Sequence, residues 1–361
     1  MIDFRKMSFQ KLNTECSDNI AVAIDISDCE ITCVYYDVDL QRRYARAAIF
    51  GVEIKTSTAK ELVIQLVTYS MREFNLSSSF ISCVGVAASY MISMVLENAL
   101  TPTDLFLNPE IDIYYVPFIS AAIGGRFTAT LLTLPEGECV AADFGKTFCA
   151  AEIKNGITRC AGFSLIGAFD GTGYESGMPA EEGAIDYIRC ESDGTLVYEV
   201  VGDSESIGVS PCGAAASISV MLDIGALDSD GIMTDRDLFA IGEDFFVSQN
   251  DVRVFQSDKA RANAVLSTIS DCGKAFFSGE VFSSEKGYRL IKELGVVPDG
   301  TEAAFCRNSA EQGVILFLTD EEARKKAYSI AENALDITEK IYSECDEKYF
   351  EQIVFEKKCE N

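Results

Sequence analysis

The chain has 361 residues, 48% of them hydrophobic, which excludes a disordered protein and exceeds the ~250 to 300 residues over which one core usually grows. Acidic residues outnumber basic ones by 57 to 30, and with no histidine the formal charge is −27. This charge argues against nucleic acid and anionic membranes as partners, because their phosphates would be repelled. We expect two lobes and a neutral or cationic partner.

The first part of the chain shows strands, then helix, strand and helix. An extension over residues 1–18 precedes a buried hydrophobic run, and the polar residues of the third strand suggest the edge of a sheet. This order predicts a first lobe over residues 19–135. The predicted strands are 20–25, 31–37, 47–53 and 80–87, and the predicted helices are 58–74, 90–99 and 120–134.

A turn at 135–137 separates this lobe from a second one, predicted over residues 136–361. Its last helix, predicted over residues 321–344, repeats apolar residues at helical spacing, so one face should pack and the other should be solvated. The remaining predicted strands are 139–142, 148–153, 157–161 and 274–278, and the remaining predicted helices are 214–225, 250–271 and 285–294.

Neither a membrane span nor a secretory signal is predicted. The most hydrophobic stretch, 81–96, contains three serines and is shorter than the ~20 residues that a span needs, and residues 1–17 lack an apolar run with a cleavage site. The 13 cysteines lie mostly in apolar runs, with no Cys-x-x-Cys pair. We therefore expect a cytoplasmic protein with reduced core thiols and no iron-sulfur cluster.

Two strands each end in an aspartate and a tight turn before the next strand. Asp25 ends the first, and Asp143 ends a later one that continues into Gly145, Lys146 and Thr147. Such a carboxylate can hold Mg²⁺ through water, while backbone amides surround phosphate oxygens. Gly145 is expected to adopt a positive φ, Thr147 to donate its hydroxyl and Lys146 to add a cation. Two facing hairpins of this kind would clamp a nucleotide.

Each hairpin can also be interpreted as a turn without a ligand-binding role. The first can be an acidic turn without a ligand, and the second can be a turn kept for folding. Under the functional reading, Asp25 and Asp143 are the catalytic and Mg²⁺-binding candidates.

The paired aspartate loops resemble the phosphate loops of the superfamily that contains actin, sugar kinases and heat-shock chaperone ATPases. Three further blocks, 115–125, 167–171 and 176–186, are similar in order and content to the ATPase region of the reductive activators of corrinoid proteins. The resemblance extends roughly over residues 19–355. It implies an α/β, two-lobed actin-like ATPase fold built from tandem ribonuclease H-like lobes.

The resemblance also implies where nucleotide would bind. The family's first loop reads Asp-x-Gly-Thr-Thr, whereas this chain has Ser27, Asp28 and Cys29 at the last three positions, and Glu30 follows. Ser27 is expected to donate its hydroxyl to phosphate but lacks the conformational freedom of glycine, and Asp28, with Glu30, would bring negative charge towards a polyphosphate. One like-charge pair at ~5 Å in an effective dielectric near 20 costs on the order of 3 kcal/mol, so ATP with Mg²⁺ is expected to bind weakly.

On the adenosine side, the family's glycine-rich turn survives only as Gly279. Glu280 beside it is either a ribose ligand or a solvated turn residue. Asn308 begins a helix that resembles the family's small-residue helix start.

Residues 167–186 combine glycines with carboxylates, which predicts a loop at the rim of the cleft. The family's activators begin with a ferredoxin module, so a separate ferredoxin is expected to supply the electron here. The leading hypothesis is an ATPase module that binds a corrinoid protein or a corrinoid-dependent methyltransferase. The alternatives are a partner-binding module that has lost nucleotide and a sugar or acyl kinase. The loop carboxylates are Asp170, Glu175, Glu181, Glu182 and Asp186.

Overall fold

The computed structural model describes residues 6–106, 108–234, 237–242, 244–269, 274–282 and 284–355. The strands are β1 (Met7–Lys11), β2 (Ile20–Ile26), β3 (Glu30–Asp37), β4 (Arg42–Phe50), β5 (Ile81–Ala87), β6 (Asp112–Tyr115), β7 (Cys139–Phe144), β8 (Thr147–Lys154), β9 (Ile157–Ser164), β10 (Ala184–Cys190), β11 (Leu196–Val200), β12 (Gly208–Val209), β13 (Leu238–Ala240), β14 (Phe246–Ser248), β15 (Lys274–Gly279), β16 (Glu302–Cys306) and β17 (Leu335–Asp336). The helices are α1 (Ala59–Glu73), α2 (Tyr90–Ala99), α3 (Pro102–Phe106), α4 (Gly125–Leu132), α5 (Pro211–Asp223), α6 (Gln249–Ile269), α7 (Glu285–Glu293), α8 (Ser309–Thr319), α9 (Glu321–Asn333) and α10 (Thr338–Glu351).

The chain forms two compact units, the first comprising residues 1–136 and 308–336 and the second comprising 137–307 and 337–361. The sequence predicts that all of 136–361 belongs to the second lobe. Residues 308–336 belong with the first unit because α8 packs on β5. A Cβ on Gly85 would come within 2.8 and 2.9 Å of Leu318 and Val314, so glycine allows this close contact.

The sheet of the first unit has the order β1-β4-β3-β2-β5-β6. β2, β3 and β4 are antiparallel, whereas β5 and β6 run parallel to β2. β2 is buried throughout, because one hydrophobic cluster with α1 to α3 covers one face and a second with α4, α8 and α9 covers the other. The predicted edge position of β4 is wrong, since β1 pairs along its outer side.

The second unit repeats this arrangement with five strands in the order β16-β15-β7-β8-β9. β7, β8 and β9 are antiparallel, and β15 and β16 run parallel to β7. A small sheet, β11-β10-β12, and the β13-β14 hairpin are additional to the repeat. Phe144 lies at the centre of the core, in edge-to-face contact with Phe148, Phe169, Phe277 and Phe282.

The predicted single helix over 321–344 is wrong, because α9 ends at Asn333 and α10 begins at Thr338. The amide of Ile337 donates to the carbonyl oxygen of Cys160 at 2.8 Å, which fixes the start of α10 within the second unit. Within the described ranges, no helix is both long enough and apolar enough to cross a membrane. The described cysteines with free thiols include Cys33, Cys212 and Cys345, all of them buried.

Candidate functional site

The first hairpin joins β2 to β3, and its turn is closed by its own serine. The Ser27 amide donates to the carbonyl oxygen of Glu30 at 2.9 Å, and the Ser27 hydroxyl oxygen accepts from the Glu30 amide at 3.0 Å. Asp25 lies at the end of β2, 7% exposed, in register with Thr32 and Ala87 on the neighbouring strands. The serine hydroxyl predicted to contact phosphate is therefore engaged within the turn.

Arg126 holds the Asp25 carboxylate. Its Nε lies 3.0 Å from Oδ1 and 3.3 Å from Oδ2, and the two side chains are 21% and 9% exposed. Arg126 is in the first turn of α4, where its amide donates to the carbonyl oxygen of Ala88 at 3.2 Å. A Cβ on Gly125 would collide with the carbonyl oxygen of Val116, so glycine at this position lets α4 begin close enough to place the guanidinium on Asp25.

A second group of charges ties the first hairpin to α8. Arg46 Nη2 lies 3.0 Å from Glu30 Oε1, Arg46 Nε lies 3.2 Å from Glu311 Oε2, and Arg43 Nη2 lies 2.9 Å from Glu311 Oε1. The negative charge that Glu30 was expected to bring towards phosphate is therefore paired with an arginine. Asn308 is the N-cap residue of α8 without a side-chain capping bond, and Glu311 connects this helix start to the hairpin.

The second hairpin joins β7 to β8 and carries the buried Asp143, which is 3% exposed. The Lys146 amide donates to Asp170 Oδ2 at 3.0 Å, and Thr147 is the half-buried first residue of β8. The predicted positive φ of Gly145 is wrong, because its φ lies outside the left-handed region. A Cβ there would have its nearest neighbour, the carbonyl oxygen of Thr147, at 3.6 Å, an ordinary contact.

Tertiary structure brings Gly279 next to this hairpin, because β15 pairs with β7 and places Gly279 in register with Phe144. Gly279 has φ +137°, and a Cβ there would collide with the Phe144 carbonyl oxygen, so packing alone requires glycine. Glu280 is not a solvated turn residue, because its side chain is 13% exposed and ion-paired. Its Oε2 accepts from Arg307 Nε at 2.9 Å, and Arg307 Nη2 also lies 2.8 Å from Glu181 Oε1.

Buried carboxylates of α6 scaffold the glycine-rich loop. Asp258, 1% exposed, accepts from three consecutive amides, those of residues 166, 167 and 168, each at 2.8 Å. Burial raises the pKa of Asp258, and the three amide bonds oppose that rise. Asp251 accepts from the Glu175 amide at 3.0 Å. These bonds define the loop's conformation through its backbone rather than through its exposed side chains.

The five loop carboxylates separate into two kinds. Asp170 is buried and accepts from the Thr172 amide of the same loop at 3.0 Å, Glu181 is ion-paired with Arg307, and Asp186 accepts from the Ser210 hydroxyl at 2.6 Å. Glu175 and Glu182 are exposed. Only the latter two present their side chains to solvent as a partner would require.

Sequence patterns do not point to the arginines at 46, 126 and 307. Arg126 follows the Gly124-Gly125 pair, and Arg307 directly precedes Asn308, so both lie beside motifs that carry the family resemblance. The acidic partner of Arg126 is Asp25, which lies 101 residues away along the chain. The partners of Arg307 are Glu181 and Glu280, at separations of 126 and 27 residues. No local pattern predicts such pairs.

The sheets of both units and their matching strand order define an actin-like ATPase fold of the ASKHA class, as the resemblance predicted. The chain belongs to the family described as the C-terminal, ASKHA domain of RACo, whose model matches residues 154–360. It is an ATPase-fold domain related to corrinoid activators, and the predicted resemblance to that family is confirmed.

Two relatives illustrate this similarity. The corrinoid activation enzyme RamQ of Eubacterium limosum is 27% identical over 177 residues, which cover 45% of this chain and 28% of RamQ. The chain therefore matches less than a third of the length of that relative. A solved reductive activator for a corrinoid, iron-sulfur protein superimposes with a TM-score of 0.82 at 15% identity, covering 94% of this chain and 67% of the activator. At that identity the superposition shows the fold.

Proposed function

We propose that this chain is a docking module for a corrinoid protein or a corrinoid-dependent methyltransferase, and that it acts without tight binding of Mg-ATP. A ferredoxin partner supplies the electron for corrinoid reduction, and the buried thiols of Cys33 and Cys212 suit the reducing cytoplasm. Support for the partner comes from the family and from RamQ. Support for the loss of nucleotide comes from the ion pair between Asp25 and Arg126.

This ion pair is the observation that carries the proposal. For Asp25 to accept from a Mg²⁺-bound water, the hydrated cation would have to compete with a guanidinium whose Nε lies 3.0 Å away. At that distance two unit charges in an effective dielectric near 20 attract by about 5 kcal/mol before solvation is considered. Both side chains are largely shielded from water, so solvent screens the pair only in part. The arginine supplies positive charge where the metal would be needed.

Two groups of the hairpins that would contact phosphate are already hydrogen-bonded within the protein. The Ser27 hydroxyl closes its own turn, and the Lys146 amide is bonded to Asp170. Both groups would have to break these bonds before they could donate to a phosphate oxygen. The first hairpin therefore does not fit a Mg²⁺-polyphosphate group, and we derive no hydrolytic step through it.

A weakly nucleotide-coupled activator is the second candidate. It is favoured by the second hairpin, which keeps Asp143 at the end of β7 and leaves Thr147 half-buried at the start of β8. In that case nucleotide affinity would depend on Asp143, and Asp143→Asn would abolish it. Under the leading proposal, the same substitution leaves partner binding unchanged.

The decisive experiment is a calorimetric titration of Mg-ATP into the native chain and into Arg126→Gln. We expect no measurable binding by the native chain and a gain of affinity when the guanidinium is removed. Arg289→Gln, which removes an exposed arginine, is the matched control and should behave as the native chain does. Micromolar binding by the native chain would contradict the proposal, while affinity capture of a corrinoid protein tests the partner independently.

A further inference from the structure

A cavity of about 380 Å³ opens in the second unit between α6, the turn after α7 and the tail segment 352–355. Its volume falls within the range of roughly 300 to 1,000 Å³ that is usual for small-molecule sites. No residue of the second hairpin lines it. The cavity is therefore distinct from the site at that hairpin and needs its own explanation.

Lys259 forms part of the cavity wall and is only 1% exposed. Its ammonium donates to the carbonyl oxygens of Gln352 and Val354, both at 2.7 Å, and lies 5.4 Å from the centre of the Phe355 ring. Burying an ammonium is costly unless its hydrogen bonds are satisfied, and here the two carbonyl oxygens of the tail accept from it. Lys259 therefore anchors the tail segment against α6 and holds this wall of the cavity in place.

The turn after α7 is held against this lysine. Gly295 has φ +74°, and a Cβ there would lie 3.4 Å from Lys259 Cε and 3.7 Å from Nζ. Asn263, 6% exposed, donates from Nδ2 to the Gly295 carbonyl oxygen at 3.0 Å. Glycine thus keeps the end of the lysine uncrowded on the side of the turn.

The other residues that line the cavity are of two kinds, charged and apolar. Lys292, Glu293 and Asp299 are exposed, so with Lys259 the cavity has two basic and two acidic residues in its lining. Leu222, Val297 and Phe355 supply apolar surface. A ligand that carries a carboxylate, an ammonium and an aliphatic group matches all three kinds of surface.

We propose that this cavity binds a small zwitterion with an apolar side chain, of which leucine is a simple representative. The carboxylate pairs with Lys292, the amino group pairs with Asp299, and the side chain contacts the apolar residues. The inference is independent of the nucleotide and corrinoid proposals, because it rests on residues that neither of them uses.

Calorimetry on the full chain tests this with L-leucine, with isocaproate, which lacks the amino group, and with isoamylamine, which lacks the carboxylate. We expect leucine to bind at least ~10-fold more tightly than either, because each half-ligand loses a charge-assisted contact. Lys292→Gln and Asp299→Asn should each lower the affinity for leucine by a similar factor. Both positions are exposed, so folding should be retained, and Lys325→Gln, at an exposed site on α9, is the control.

Three results would overturn the inference. The first is no leucine binding at millimolar concentration. The second is isocaproate binding as tightly as leucine, which would leave the acidic residues without a role. The third is leucine affinity that neither Lys292→Gln nor Asp299→Asn changes, which would place the ligand elsewhere.

Discussion

The ion pair between Asp25 and Arg126 can be measured by a double-mutant cycle of Asp25→Asn, Arg126→Gln and the combined variant. The pair links the end of β2 to the first turn of α4 within one unit, with Nε 3.0 Å from Oδ1. Both substitutions keep approximate shape and hydrogen-bonding capacity, so the cycle isolates the charge interaction.

The burial of the ion pair determines how large a coupling free energy we expect from the cycle. Exposed pairs contribute ~0.2 to 1 kcal/mol, and breaking a buried pair costs ~3 to 5 kcal/mol. At 21% and 9% exposure the pair lies between these limits, so we expect a coupling of about 2 kcal/mol. Arg126→Gln should cost more than Asp25→Asn, because the carboxylate is the less exposed partner.

Hydrogen exchange of peptides from β2 and α4 is the suitable assay, because a chain with two units need not unfold in one transition. The matched control is the cycle for Lys325 and Glu322, which lie at a similar distance of 2.9 Å but are 61% and 82% exposed. That pair should couple by less than ~0.5 kcal/mol.

A coupling at Asp25 no larger than that of the control pair would refute the reasoning. It would mean that water screens the guanidinium as fully as it screens a surface ion pair. The proposed obstacle to Mg²⁺ would then be absent, and weak nucleotide binding would need another cause.

Three further predictions follow from the geometry. Gly279→Ala should destabilise the second unit by at least ~2 kcal/mol, because Gly279 has a positive φ and a Cβ there would collide with the Phe144 carbonyl, whereas Gly145→Ala should lower its stability by less than ~1 kcal/mol. Equal melting temperatures for the two variants would contradict this expectation. Burial raises the pKa of the Cys33 and Cys212 thiols to about 12, so the stability that they contribute is complete below about pH 9 and is lost as pH rises towards 12. The double variant Cys33→Val/Cys212→Ala should therefore lose less stability than the native chain between pH 9 and 11 in urea unfolding, and an unchanged pH dependence would argue against the buried thiols. Glu181→Gln should destabilise the chain by about 2 kcal/mol because it loses its ion pair with Arg307, whereas Glu182→Gln should leave stability unchanged and slow association with a corrinoid protein at low salt. Association rates measured by stopped flow that do not change in Glu182→Gln would remove that residue from the docking surface.

Local pattern determined much of the fold. The buried runs before Asp25 and Asp143 predict β2 and β7, and helical spacing predicts both ends of α1 and the start of α6 to within one residue, because these signals lie within a few residues of one another. The predicted end of α6, at 271, lies outside the described residues. The same periodicity could not separate α9 from α10. The apolar spacing continues through 334–337, where the backbone leaves the helix to connect the two units.

Only the tertiary structure decided the chemistry of the hairpins. An acidic turn has the same sequence whether its carboxylate meets a metal or a guanidinium, and Arg126 reaches Asp25 only because α4 begins against β5. Likewise, Glu311 meets Arg46 across 265 residues, once α8 has returned to the first unit. Charge pairing acts through space, and sequence periodicity acts along the chain. The sequence therefore determined where the hairpins lie, and the folded structure determined what neutralises their charges.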